Sequence, residues 1–352
     1  MHNRNFNILT YRWHVSHQYE LWKLGYDITL VHGAGTAACD SWAYDQRPFP
    51  KNAMFQDIER VNPQKYDLAI LHFDENVLHP ELCNGMETSD WGDTFKTMFA
   101  LTANIPRVAV CHGTPQFLGQ YDPKFHGTEP VSIYEDSRRE LVDFLGDTFV
   151  VCNSHQAEKE WGFSRSTTIW HGFSPDEYLF GTHERDCLAP MSSSIKKRAY
   201  YMGQYELEQL KALLEGHLAI EYTTSPDPQG FFPNKQAWAI TKYKNYRREI
   251  GRYSFYLNTT LRSPMPRSRG EAMMEGVIPL TLRNHDTDLF IQNGINGYSA
   301  DTVDELADFA MFLKNYPRTK EKISIAARES AIVHFNNKRY LSEWAKLIAG
   351  LV

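Results

Sequence analysis

The sequence predicts an α/β protein with two Rossmann-like domains, each built on a parallel sheet. At 352 residues the chain exceeds the usual size of a single domain. Short apolar runs that end in polar loops recur along it, which is typical of strands buried in parallel sheets. The run 255–282 also has the pattern of a strand, a loop, a helix and a second strand, which together form one βαβ unit.

The first half of the chain supplies five of the predicted strands. They cover residues 6–11, 27–31, 66–72, 107–111 and 148–152. A helix is predicted over 18–24, closed by Gly25, and another follows Asn153 and Ser154. The strand at 107–111 ends in a polar loop, 112–115, so His112 stands at the carboxyl end of a buried strand, the edge at which parallel sheets bind ligands.

The composition changes at residues 185–198, RDCLAPMSSSIKKR, which contain three serines and four basic residues. Such a polar stretch indicates a domain boundary. The predicted organisation is therefore a domain at 1–184, a linker at 185–198, a domain at 199–335 and a final helix at 336–352. The second domain is expected to open with a strand at 199–203, closed by Gly203.

Composition excludes several classes of protein. Hydrophobic residues make up 42% and charged residues 23% of the chain, as in ordinary globular proteins. The net charge of −6 argues against a protein that coats nucleic acid. Five cysteines without a C-x-x-C pair favour reduced thiols in the cytoplasm over a disulfide framework. We expect no signal peptide and no transmembrane segment, because the N-terminus is polar and no apolar run reaches 18 residues.

The predicted βαβ unit offers an anion site. Helix N-termini at the carboxyl ends of parallel strands present N–H groups to anions. With the helix predicted to start at Glu271, the loop 263–270 lies where a diphosphate would be held. Alternate positions of an extended loop point to opposite sides, so we expect one of Arg267 and Arg269 to face the ligand. Ser268 and Glu271 also have the spacing of a capping box, a structural role that is compatible with ligand contact.

Several segments resemble retaining glycosyltransferases of the GT-B fold. EAMMEGVIPLT, starting at Glu271, is similar to their "EAMxxGxPV" segment. FIQNGINGYSADTVDELADFAMFLKNYP, starting at Phe290, is similar to the family's next turn and helix. VAVCHGTP, FVVCNSHQAEKEWG and TIWHGFSPDEYLF match shorter family motifs more loosely. The resemblance implies two Rossmann-like domains whose sheets face each other across a cleft, with the last helix packed back on the first domain.

The resemblance also implies roles for residues. The chain would transfer a hexose or pentose from a nucleoside-diphosphate sugar, which is a substrate and not a cofactor, with retention and without a metal. Glu271 would bind the ribose, and Ser268, Gly270 and Gly203 would line the nucleotide site. His112 would act in catalysis by contacting the donor sugar or its phosphate; the alternative is a loop histidine bonded to backbone.

The chain departs from the family near the predicted donor site. Ser263 stands where relatives have a first glutamate that helps hold the sugar. Gln204 stands where they have the arginine of an Arg–Lys pair that neutralises the diphosphate, and the lysine of that pair is missing as well. We therefore expect Arg267 and Arg269 to take over the diphosphate charge.

Acceptor and metal residues are less well defined. The segment 13–17 replaces a glycine-containing loop of the family, which makes His14 and His17 acceptor candidates. Lys244, Arg248 and Arg252 recur every four residues and would share a helix face. The basic, aromatic stretch 235–252 is either a solvated helix face or a contact for an acceptor or an anionic surface. Asp286 and Asp288 form a D-x-D pattern, but its position after the βαβ helix does not indicate a metal site, and we expect none.

The sequence leaves other functions open. A nucleotide-sugar epimerase, a phosphorylase, or an inactive nucleotide-sugar or glycan-binding module would fit the same second domain. The acceptor could be a glycan, a lipid-linked sugar, a small molecule or a modified nucleobase.

Overall fold

The computed structural model describes residues 5–79, 91–115, 132–191, 196 and 199–352. The chain forms two compact units. The first unit holds the chain up to Ile169 together with Pro233–Ile240 and Tyr340–Val352, and the second holds Trp170–Phe232 and Thr241–Arg339. Among the described residues, no helix combines the length and the apolar character that a membrane span requires.

The first unit is built on a seven-stranded sheet in which all strand pairs are parallel. Its strands are β1 (Asn7–Tyr11), β2 (Asp27–His32), β3 (Ala53–Asp57), β4 (Leu68–Phe73), β5 (Arg107–Cys111), β6 (Phe149–Cys152) and β7 (Ser166–Thr168), in the order β3-β2-β1-β4-β5-β6-β7. The helices are α1 (Val15–Leu21), α2 (Trp91–Leu101), α3 (Ser132–Leu145) and α4 (His155–Trp161). The central strand β4 is buried along its whole length, because its alternate side chains enter two hydrophobic clusters, one on each face of the sheet.

The second unit is built on a five-stranded sheet, also entirely parallel. Its strands are β8 (Arg185–Ala189), β9 (Ile220–Tyr222), β10 (Tyr253–Asn258), β11 (Ile278–Leu282) and β12 (Tyr298–Ala300), in the order β12-β11-β10-β8-β9. The helices are α5 (Ala199–Met202), α6 (Gln204–Leu214), α7 (Lys235–Ile250, whose first six residues belong to the first unit), α8 (Arg267–Met274), α9 (Val303–Asn315) and α10 (Pro317–His334). Two parallel sheets confirm the predicted α/β class.

The predicted linker is wrong at its first half. Residues 185–189 form β8, which pairs with both β10 and β9. The sequence did not predict this strand because it begins with two polar residues, Arg185 and Asp186. Cys187 and the two residues after it are nevertheless buried. The compact units instead divide after Ile169.

The predicted strand at 199–203 is also wrong. Ala199–Met202 is a short helix, and Gly203 follows it with a φ of 68°. Helices commonly end at a glycine in the left-handed conformation. A short apolar run that ends in glycine is also compatible with a strand, so the sequence did not distinguish the two.

The last helix, α11 (Asn337–Leu351), belongs largely to the first unit. Tyr340, Trp344 and Ile348 recur every four residues and are fully buried. They pack in the hydrophobic cluster that also holds Val15 and Trp22. The end of the chain therefore completes the core of the unit that its beginning starts.

Candidate functional site

The N-terminus of α8 lies at the carboxyl edge of the second sheet. The chain leaves β10 at Asn258, passes through residues 259–266 and enters α8 at Arg267. The helix thus begins four residues before Glu271, its predicted start, with Pro266 at the N-cap. Residues 267–270, expected in an extended loop, form the first turn of the helix.

Glu271 is buried on this helix, with 1% of its surface exposed. Its Oε2 atom accepts a hydrogen bond of 2.7 Å from the Tyr246 hydroxyl, and its Oε1 atom lies 3.8 Å from Nη2 of Arg267. The expected capping box is absent from α8, since Ser268 bonds to the Tyr256 hydroxyl and no side chain caps the helix. The carboxylate of Glu271 therefore does not serve as a helix cap.

Arg267 presents a buried cation at the start of α8. Only 9% of the residue is exposed, and none of its three guanidinium nitrogens has a hydrogen-bond partner among the described residues. Its guanidinium carbon lies 4.7 Å from the centre of the Phe173 ring. The hydroxyl of Thr260, just beyond β10, is likewise buried without a partner in the described chain. Buried polar groups are normally hydrogen-bonded, so the guanidinium of Arg267 has donors that are available to a ligand.

Arg269 is held within the protein instead. Its guanidinium contacts Asn284 Oδ1 at 3.4 Å, Thr287 Oγ1 at 3.2 Å and the sulfur of Met265 at 3.5 Å. Burial lowers its pKa to about 10, which leaves it charged at neutral pH. Residues two apart on a helix project about 200° from each other. Arg267 and Arg269 thus point to different surroundings, although the geometry is helical and not extended as the sequence suggests.

Two glycines allow close packing around this turn. A Cβ atom on Gly270 would lie 2.5 Å from Cε2 of Phe173, and one on Gly203 would lie 1.8 Å from the carbonyl oxygen of Thr259. Thr259 Oγ1 also donates to the Gly203 carbonyl at 2.8 Å. Gly203 thereby brings the start of α6 beside the carboxyl end of β10.

Neither Gln204 nor the nearby Lys211 points into this turn. Gln204 donates to Glu208 at 2.7 Å along α6. Lys211 donates to the Tyr222 hydroxyl at 3.3 Å. The cation that relatives have at the position of Gln204 is therefore not replaced from α6.

The first unit gathers four histidines at the carboxyl edge of its sheet. His14 and His17 come at the start of α1, His72 is the fifth residue of β4, and His112 directly follows β5. Nδ1 of His72 lies 3.0 Å from Nε2 of His112, and the rings of His14 and His112 stack with their centres 5.2 Å apart. Burial, followed by the nearby His14, lowers the pKa of His72 to about 3, so its ring is neutral. Sequence reasoning missed His72; a histidine inside an otherwise apolar strand was the available signal.

The remaining predicted site residues lie elsewhere. Lys244 and Arg248 are exposed on α7, whereas Arg252 follows the end of that helix, so the three do not share one helix face as predicted. Arg248 lines a pocket of about 510 Å³ with Gly251 and Glu275, at the opposite end of α8 from Arg267.

The two carboxylates of the D-x-D pattern face different partners. Asp286 accepts from Trp170 Nε1 at 2.7 Å, and Asp288 pairs with Arg283. The four cysteines of the described residues are buried thiols.

Comparison with solved structures identifies the fold. Anabaena HepE, solved in complex with UDP and glucose, is 12% identical, with a TM-score of 0.67 over 99% of this chain and 100% of HepE. Sucrose-phosphate synthase from Thermosynechococcus elongatus is 10% identical, with a TM-score of 0.66 over 99% of both chains. A variant of Staphylococcus aureus TarM, solved with fondaparinux, alpha-GlcNAc-glycerol and UDP, is 14% identical, with a TM-score of 0.58 over 83% of this chain and 57% of TarM.

No protein-family model matches the sequence, and no curated protein does. The likeness is therefore one of structure and not of sequence. The chain has the GT-B glycosyltransferase fold.

Proposed function

We propose that the chain is a glycosyltransferase that moves a hexose or pentose from a nucleoside-diphosphate sugar to an acceptor in the cytoplasm. The transfer would retain the configuration of the sugar and would need no metal ion at the diphosphate. The observation that carries this proposal is the buried guanidinium of Arg267, which has no hydrogen-bond partner among the described residues. It stands one helical turn before the carboxylate of Glu271, on a fold shared with structures that contain UDP and UDP-glucose.

Arg267 would bind the diphosphate. Breaking the bond between sugar and diphosphate leaves negative charge on the phosphate oxygens, and preorganised donors at that position stabilise it. A guanidinium can donate two parallel hydrogen bonds to phosphate oxygens, and the N–H groups at the start of α8 add a favourable dipole. Arg267 would thereby supply the positive charge that, by resemblance, relatives place at the position of Gln204.

Glu271 would bind the ribose of the nucleotide. Its carboxylate is buried 3.8 Å from the Arg267 guanidinium, so one ligand can reach both groups. Charged acceptors make the stronger hydrogen bonds to hydroxyl groups. Ser268 and Gly270, in the same turn, and Gly203, beside the end of β10, would shape the wall of the site without contributing charge.

His112 would contact the donor sugar, as the resemblance to GT-B enzymes implies. It directly follows β5, at the sheet edge where parallel sheets bind ligands, and its ring is half-buried among other histidines. An imidazole N–H there can donate a hydrogen bond to a sugar hydroxyl or a phosphate oxygen. His14, which is half-buried in the same group, would border the acceptor. The burial of His17 and the position of Arg248 at the far end of α8 give no support to the acceptor roles considered for His17, Lys244 and Arg248.

The proposal is tested by comparing UDP and UMP affinity in arginine variants. Arg267→Ala should weaken UDP binding ten- to a hundredfold, since hydrogen bonds to charged groups contribute about 1.5–3 kcal/mol, and leave UMP affinity nearly unchanged. Arg267→Lys should restore part of the loss. Arg318→Ala, which replaces an exposed arginine on α10, is the matched control and should bind both nucleotides as the parent does. If Arg267→Ala binds UDP as tightly as the parent, the diphosphate is bound elsewhere.

Turnover distinguishes the proposed reaction from others on the same fold. A transferase releases UDP from a UDP-sugar only when an acceptor is added, so a panel of glycans, lipid-linked sugars, small alcohols and modified nucleobases is assayed for acceptor-dependent UDP release. An epimerase would instead convert the donor without releasing UDP. Nucleotide binding without turnover on any acceptor would point to an inactive binding module.

A further inference from the structure

Three histidines of the first unit come together although they are far apart in the sequence. His17 lies on α1, His72 within β4 and His112 just after β5. Among the residues that the structure describes, they are the one group of three or more His, Cys, Asp or Glu side chains whose ligand atoms all lie within 4.8 Å of one another. The rings of His17 and His72 are buried and that of His112 is half-buried. We propose that His17, His72 and His112 bind a divalent transition-metal ion, with Zn²⁺ as the best match.

The spacing of the rings fits a tetrahedral ion. With Zn–N bonds of about 2.0–2.1 Å, two ligand nitrogens of a tetrahedral site lie about 3.3 Å apart and their ring centres about 5 Å apart. Here Nδ1 of His72 and Nε2 of His112 are 3.0 Å apart. The three pairs of ring centres are separated by 5.1, 5.3 and 5.7 Å. Small side-chain rotations would therefore bring all three rings onto one ion.

The surroundings fix the rings and select the ion. The Tyr340 hydroxyl lies 3.0 Å from Nε2 of His17, and such an outer contact orients a metal-binding imidazole. His14 stacks on His112 with an angle of 10° between the two rings. This contact helps to fix the orientation of the His112 ring. A set of three imidazoles suits Zn²⁺ and its neighbours in the first transition row, whereas Mg²⁺ and Ca²⁺ prefer oxygen ligands. Three protein ligands also leave a fourth position for water or a substrate oxygen.

The site has a consequence for the proposed transfer, and this part rests on the proposed function. Binding of Zn²⁺ would occupy Nε2 of His112, the nitrogen that lies 3.0 Å from Nδ1 of His72, and would leave only Nδ1 of that ring for the donor sugar. Zn²⁺ should therefore change the rate of transfer, and removing it should restore the rate of the metal-free chain. The metal site itself is tested by direct binding, so that its failure and the failure of the transfer proposal are distinguishable.

The direct test measures metal binding to the full chain after treatment with a chelator. Titration with Zn²⁺ should show one tightly bound ion per chain, and Co²⁺ should give the intense visible bands of a four-coordinate site with nitrogen ligands. His17→Gln, His72→Gln and His112→Gln should each weaken Zn²⁺ binding at least tenfold. His155→Gln, which replaces an exposed histidine at the start of α4, is the matched control and should bind Zn²⁺ as the parent does.

Folding is controlled separately, because His72 is fully buried. Circular dichroism and thermal unfolding of each metal-free variant identify the variants that fold as the parent does. The Co²⁺ spectrum is measured on the parent itself, so this part of the test does not depend on the folding of any variant. The proposal is overturned if the parent binds no stoichiometric Zn²⁺. It is equally overturned if a six-coordinate Co²⁺ spectrum is found or if the folded variants retain the affinity of the parent.

Discussion

Glu275, at the end of α8, should make the stability of the second unit depend on pH in an unusual direction. Only 3% of the residue is exposed. Burial raises the pKa of its carboxyl to about 8, and the cations of Arg247 and Arg328 offset that effect only in part. The folded protein thus holds a proton that the unfolded chain releases above about pH 4.5.

The sign and size of the effect are set by this difference in bound protons. Between the unfolded and the folded pKa, the free energy of unfolding falls by about 1.4 kcal/mol for each unit of rising pH. From about pH 5 to about pH 7.5 the loss amounts to about 3 kcal/mol. Glu275→Gln carries no titrating proton, and its amide oxygen can still accept from the Leu179 N–H group. We expect the variant to match the parent near pH 5 and to be more stable by a few kcal/mol near pH 8.

The assay is urea unfolding of the parent and of Glu275→Gln at a series of pH values. The transition of the second unit is followed, since two units need not unfold together. Glu329→Gln, which replaces an exposed glutamate on α10, serves as the matched control and should follow the parent at all pH values. Parallel stability curves for parent and Glu275→Gln across this range would refute the reasoning.

Three further predictions concern the candidate sites. Glu271→Ala should weaken UDP binding about ten- to a hundredfold by removing a charged acceptor from the ribose hydroxyls, measured by calorimetry; unchanged affinity in a folded variant would remove Glu271 from the site. Treatment with EDTA should leave transfer active, because Arg267 and not a metal ion meets the diphosphate; inactivation reversed by Mg²⁺ or Mn²⁺ would refute this. Gly270→Ala should lower the thermal unfolding temperature, because its Cβ would meet Phe173 at 2.5 Å, and an unchanged melting curve would show that the ring moves aside at little cost.

Elements with strong local signals could be predicted from the sequence. The run RVAVC has four buried apolar residues after its arginine, two of them β-branched valines, and β5 has the predicted bounds, Arg107–Cys111. The order of elements in the βαβ unit at 255–282 could likewise be predicted, as could Gly25, which closes a short 3-10 helix after α1 with a φ of 81°, because such features are set by nearby residues. The same buried apolar runs and βαβ pattern predict parallel sheets, and both sheets are parallel.

Features that depend on distant residues could not be predicted. Arg267 and Arg269 have the same side chain, two positions apart, and only the tertiary structure shows that Asn284 and Thr287 bind one of them. His17, His72 and His112 show no metal-ligand spacing in the sequence, because three different elements carry them to one sheet edge. The strand β8 was missed since its pairing partners, β9 and β10, override the polar residues at its start.

The position of α11 sets the order in which the chain can fold during synthesis. Domains usually fold as units from the N-terminus while the ribosome is still at work. Here Tyr340, Trp344 and Ile348 fill the core of the unit that contains the first strands, and they leave the ribosome after the whole second unit has been made. Until then the early sheet lacks three large apolar side chains and exposes the surface that they cover. The unit synthesised first is therefore the one completed last.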